Sequence, residues 1–276
     1  MRRIFCIAIT VALVVSVKGS FAQDAALSYR QGIEYASEGK FPEAAAQFES
    51  NLKNNKSDST SISSLAVIKD LNDGKITDSY ARSFFTGLSL LQNGKTDEGL
   101  KEFEKDIAVN PAYPKPYNVA GMIYASLGEK LKAISYFQKA IEINPQYSEA
   151  YFNLAVLYQS LVQPEDALTY YKKVISLQPN SLDVIINMAA IYASLQKYPE
   201  AIEYYQRAIE LDRDNPDAYY NLALAYFMSD QLAKFRDNLL KAQDLYKRRG
   251  DTNGLEKVAE YMKKMKEIEN KVRHIN

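Results

Sequence analysis

Residues 149–158 read EAYFNLAVLY and residues 217–226 read DAYYNLALAY, two near-identical stretches 68 residues apart. In the first, Tyr151, Leu154, Ala155 and Tyr158 recur at i, i+3, i+4 and i+7, which is one face of an α-helix. A second helical pattern follows Pro164, where Ala167, Tyr170, Tyr171 and Val174 fall on one side. Prolines punctuate both patterns. Pro111, Pro145 and Pro179 follow Asn or Gln at the end of the second helix, where a missing N–H and a steric clash stop it. Pro164 and Pro199 lie in the first turn of the second helix, where proline is tolerated. The chain therefore predicts helix pairs and no sheet.

Sliding the sequence by 34 residues aligns five consecutive units, beginning at Tyr80, Pro114, Ser148, Leu182 and Pro216. The eighth position is small throughout: Gly87, Gly121, Ala155, Ala189 and Ala223. The eleventh is Leu90, Tyr124, Tyr158, Tyr192 and Tyr226, and the twenty-fourth is Phe103, Phe137, Tyr171, Tyr205 and Leu239. Small residues let the two helices of a pair approach, and large ones fill the space beside them. One such pair cannot bury its apolar surface alone, so stacking against neighbours must complete the core.

The spacing and residue set resemble the tetratricopeptide repeat family. The unit from Pro114 carries that pattern as Tyr117, Ala120, Gly121, Tyr124, Ala133, Phe137, Ala140 and Pro145. The unit from Ser148 carries it as Tyr151, Leu154, Ala155, Tyr158, Ala167, Tyr171, Val174 and Pro179. The resemblance implies an all-α, right-handed superhelical solenoid of helix-turn-helix repeats. Departures are Asp106 where a small residue belongs, Arg213 in place of proline, and Phe235 in place of alanine. They predict a looser first unit and a splayed last one. An earlier copy begins at Ala25, with Gly32, Tyr35, Ala44 and Phe48 in register, and 21 additional residues separate it from the array. The implied organisation is a signal peptide over 1–22 and an N-terminal hairpin plus inserted helix over 23–79. Five tandem units follow over 80–249, then a C-terminal capping helix over 250–276 with Leu255, Val258, Met262 and Met265 along one stripe.

The first helix of each unit has a second apolar side, where an ordinary amphipathic helix carries charge. In the third to fifth units of the array this side holds Phe152, Asn153 and Val156, then Ile186, Asn187 and Ala190, then Tyr220, Asn221 and Leu224. The unit before them places Lys115, Asn118, Val119 and Met122 there. In the family these positions line a concave groove. The resemblance thus implies a protein or peptide partner, with a row of asparagine amides holding its backbone and apolar neighbours taking its side chains. The fifth position runs Phe84, Asn118, Phe152, Ile186 and Tyr220 and offers no lysine, so a clamp for a chain-terminal carboxylate is not expected. A self-assembling structural scaffold, a homo-oligomer, is the alternative reading.

Composition narrows the chemistry. Lys and Arg number 34 and so do Asp and Glu, which gives no reason to expect a nucleic-acid partner. The single histidine is His274, no pair of histidines is available for a metal, and no glycine-rich phosphate loop is present. Neither enzyme activity, a metal nor a small-molecule cofactor is expected. At the N-terminus, Arg2 and Arg3 precede an uncharged run from Ile4 to Val17, and Ser20 and Ala22 fit a signal-peptidase site before Gln23. Fourteen helical residues reach about 21 Å, short of a bilayer core of about 30 Å. Export to a periplasmic or secreted location is the expectation, with a retained N-terminal membrane anchor as the alternative. Cleavage would remove Cys6, the one cysteine, and leave stability to packing alone.

Overall fold

The computed structural model describes residues 20–54 and 58–273, with side chains described for 26–53 and 58–263. The apolar run of the expected signal peptide, Cys6, His274 and the side chain of Met265 lie outside the described residues. The expected cleavage point before Gln23 falls in the first helix. All regular elements among the described residues are helices, and they form two compact units, the first ending along the chain at Leu161 and the second beginning at Val162. None of these helices is long and apolar enough to cross a membrane.

The first unit contains α1 (Ser20–Ser37), α2 (Phe41–Asn54), α3 (Ser59–Asn72), α4 (Asp78–Gln92), α5 (Thr96–Val109), α6 (Pro114–Ser126), α7 (Lys130–Ile143) and α8 (Ser148–Ser160). Helices α1/α2, α4/α5 and α6/α7 pack as antiparallel pairs, and α1 packs directly on α4. The extra helix α3 therefore lies beside the stack without separating its first two pairs. It starts where the Asp58 carboxylate accepts from the Ser61 amide at 3.1 Å, and Gly74, at φ 71°, turns the chain after its end. Its apolar side, Val67 and Ile68, joins a core with Ile33, Phe48, Phe85 and Phe103. Tyr113, just before α6, donates to Asp70 of α3 at 2.8 Å and sets its ring edge-on to Tyr80 of α4.

The second unit contains α9 (Pro164–Leu177), α10 (Leu182–Ser194), α11 (Tyr198–Leu211), α12 (Pro216–Met228), α13 (Leu232–Arg249) and α14 (Thr252–Arg273). Pro164, Pro199 and Pro216 sit in the first turns of α9, α11 and α12, where no intrahelical N–H is lost. Helix α13 stops at Gly250, φ 66°, and the chain doubles back into α14. Val258 of α14 is fully buried, with Leu255 and Met262 packed on the same core. The expected splaying of the last pair is not seen. Phe235 is fully buried, 5.0 Å from the Phe227 ring and 6.3 Å from that of Tyr261. The twenty-fourth position of this unit is Leu239 instead of an aromatic, so the bulk has moved one helical turn along α13.

Every turn between the two helices of a pair reaches the left-handed region at the same register. The residues are Gly39, Gly94 and Gly128 in the first unit, and Val162, Gln196 and Asp230 in the second. In two of the pairs the tyrosine at the eleventh position ties the pair to the preceding one. Tyr124 donates to Glu104 of α5 at 2.8 Å, and Tyr226 accepts from Gln206 of α11 at 3.1 Å.

Candidate functional site

The nine residues singled out on the first helices are all half-buried. Phe152, Asn153 and Val156 belong to α8 in the first unit; the remaining six belong to α10 and α12 in the second. The asparagines are already engaged to different degrees. Asn153 donates to the Asn118 Oδ1 at 2.9 Å, and Asn187 hydrogen-bonds the buried Tyr171 hydroxyl. Asn221 makes no side-chain hydrogen bond among the described residues. On α12 the face is partly covered by the chain itself, because Tyr261 of α14 sets its ring against Tyr220 and Phe227 at 6.1 and 6.2 Å. Burial, with Tyr261 beside it, raises the Tyr220 hydroxyl to about 12.

A concave site of 160 Å³ lies in the first unit, on the corresponding face of α4 and α6. Its body is apolar: Phe84, Leu88 and Leu91 from α4, and Val119, Met122 and Ile123 from α6. Helix α3 closes one side with Ser59, Thr60, Ser63 and Ser64, and Tyr29 of α1 stands behind it with its hydroxyl 3.4 Å from Ser64 Oγ. The remaining end is polar and consists of Lys115, Asn118, Tyr147 and Glu149.

That polar end is unusual for its burial. Lys115 is 8% exposed and Asn118 5% exposed, on a helix side where a lysine ordinarily reaches water. The Lys115 ammonium stands 5.8 Å from the centre of the Tyr147 ring and forms no ion pair within 4 Å among the described residues. Loss of hydration lowers its pKa, a shift that the charges of Glu149 and Asp70 only partly oppose. Asn118 bridges the neighbours: its oxygen accepts from Asn153, and its amide hydrogen-bonds the Tyr147 hydroxyl, whose pKa burial drives well up.

Lys115, Asn118, Val119 and Met122 were on the face read from the repeat, whereas the contribution of α3 was not. The four hydroxyls of α3 recur at helical spacing over 59–64, but nothing in the repeat register says which side of the stack a helix outside that register will take. Among the described residues, no group of three His, Cys, Asp or Glu side chains is placed to hold a metal ion.

Models of the tetratricopeptide repeat match residues 114–147 and 148–181, and a TPR repeat model matches residues 189–230. The chain is a tetratricopeptide repeat protein. Its TPR fold is shared with solved structures at low sequence identity. MamA from Desulfovibrio magneticus RS-1 is 19% identical with a TM-score of 0.57, over 64% of this chain and 99% of that one. YrrB, described as a TPR protein with an unusual peptide-binding site, is 20% identical with a TM-score of 0.56, over 71% and 98%. PilF of Pseudomonas aeruginosa is 14% identical with a TM-score of 0.57, over 88% and 100%. No curated protein matches the sequence.

Proposed function

We propose that this TPR protein is a non-enzymatic, exported scaffold that binds a protein or peptide along the second apolar side of its first helices. The residues that carry binding are Phe152, Asn153 and Val156 on α8, Ile186, Asn187 and Ala190 on α10, and Tyr220, Asn221 and Leu224 on α12. The supporting observation is that all nine are half-buried on helices whose opposite side is fully buried in Leu154, Ala155, Met188, Ala189, Leu222 and Ala223. Such a helix leaves apolar surface available, and Asn221 adds an amide with no side-chain hydrogen bond among the described residues, which suits an extended chain: an amide meets its backbone and the apolar groups its side chains. The peptide-binding site named for YrrB, a protein of the same fold, agrees with this reading.

The test is an affinity measurement with a partner captured by the full chain and then purified. Ile186→Ala combined with Asn187→Ala should weaken that complex at least tenfold while thermal unfolding confirms that the array is intact. An unchanged dissociation constant would remove α10 from the binding face. Export is tested separately by fusing residues 1–40 to a reporter and determining the N-terminus of the product. A mature chain beginning at Gln23 supports the reading, and an intact membrane-retained fusion replaces it with an anchor.

A further inference from the structure

We propose that the cavity walled by α3, α4 and α6 is a binding site for a small amphipathic carboxylate, with the anionic head at Lys115 and an apolar body against Phe84 and Met122. A cavity of 160 Å³ is close to one known to admit benzene, so the apolar body is roughly the size of a benzene ring or a short alkyl chain. The inference is independent of the polypeptide-binding reading of α8, α10 and α12, and either can fail without the other.

Three observations fix the chemistry. Lys115 is more than nine-tenths buried and lines the cavity, yet has no carboxylate within ion-pairing distance among the described residues. A buried cation without a counter-ion is costly even beside an aromatic ring, and an anion next to it offsets that cost. The two carboxylates that influence it are committed or displaced. Asp70 already pairs with Lys75 at 2.8 Å and accepts from Tyr113, while Glu149 lines the cavity without reaching the ammonium. The rest of the lining is apolar apart from neutral hydroxyls and amides and so disfavours a second charge on the ligand. An amine would pair with Glu149 but leave Lys115 unsatisfied, which selects an anion over a cation.

The same chemistry is offered by a free carboxylic acid and by an Asp side chain flanked by apolar residues in a polypeptide. Hexanoate, hexanol and hexylamine titrated into the full chain by calorimetry separate charge from shape. The peptides acetyl-Leu-Asp-Leu-amide and acetyl-Leu-Asn-Leu-amide do the same for a polypeptide source. The expected result is one saturable site with an acid, free or in the peptide, bound at least tenfold more tightly than its neutral counterpart. Lys115→Met should abolish that preference, and Glu149→Gln, which removes the competing carboxylate, should strengthen it. Because Lys115→Met alters a buried position, the unmodified chain supplies a second readout: the nuclear magnetic resonance titration of the Lys115 side chain should move to higher pH when hexanoate is bound. Preference for hexanoate alone identifies a free acid, and displacement of hexanoate by the Asp peptide alone identifies a polypeptide. Equal binding of hexanoate and hexanol, together with equal binding of the two peptides, overturns the proposal. So does an unchanged Lys115 titration in saturating acid.

Discussion

Gly121 of α6 faces the ring of Phe137 on α7 so closely that a Cβ on the glycine would stand 2.8 Å from the ring carbons. The same relationship holds between Gly87 and Phe103, and between Gly32 and Phe48. In each case the eighth position of one helix is empty because the twenty-fourth position of the other fills it. Phe48, Phe103 and Phe137 are all fully buried and have no solvent side to retreat to. Gly121→Ala should therefore destabilise the chain by about 1–3 kcal/mol, although alanine is the better helix former. Chemical denaturation of the variant checks this, and a stability gain of the size expected from helix propensity would contradict the packing account.

Val162 occupies a left-handed turn position, φ 59°, that glycine holds in the first three pairs. A β-branched side chain is strained there, and this one is 85% exposed, so its removal loses little packing. Val162→Gly should stabilise the chain by about 0.5–1 kcal/mol after the added flexibility of the unfolded glycine is set against the relief of strain. The converse change, Gly128→Val, should destabilise it by a similar or larger amount. Paired thermal melts of the two variants test both signs.

Asp106 is 2% exposed at the register where later units carry Ala140, Val174, Ala208 and Ala242, and its Oδ2 has no hydrogen-bond partner. Burial raises its pKa to about 6, with the Ser83 hydrogen bond acting against the shift. The folded state thus holds this proton more tightly than the unfolded chain, whose ordinary value is 3.8. This group's contribution is most favourable below that ordinary value and is lost as pH rises through about 6. Asp106→Ala should accordingly stabilise the chain by about 2 kcal/mol at neutral pH, with the gain shrinking toward pH 4. Denaturation midpoints measured across that window will show whether the advantage of alanine depends on pH.

Tyr261 reaches from α14 to Tyr220, Phe227 and Phe235. Replacing it by alanine should cost about 2 kcal/mol of stability through lost aromatic contact. It should also bring the Tyr220 hydroxyl down from about 12, since Tyr261 contributes to that rise. Spectrophotometric titration of the tyrosines in the folded range follows the second effect separately from the first.

The regular part of the molecule was legible because its rules are local and recur. Position eight is small, position twenty-four is large, and proline marks the first turn, so 34-residue self-similarity alone locates the helix pairs from Tyr80 onward. The departures were visible too, but their consequences were not. Phe235 reads as an intrusion at a small position, yet α14 and Leu239 leave it room. Asp106 reads as a loosening, and instead it is buried with an unsatisfied oxygen.

The sequence by itself determined the helical class, the repeat register and the side of each first helix that is left over, because helical periodicity is written in consecutive residues. Tertiary structure alone decided what happens to that side. Tyr261, 41 residues beyond Tyr220, covers one stretch of it, and a helix outside the repeat register walls another into a cavity with a buried lysine. Those contacts join residues that no repeat relates, and they depend on where a helix docks once its own apolar stripe is buried.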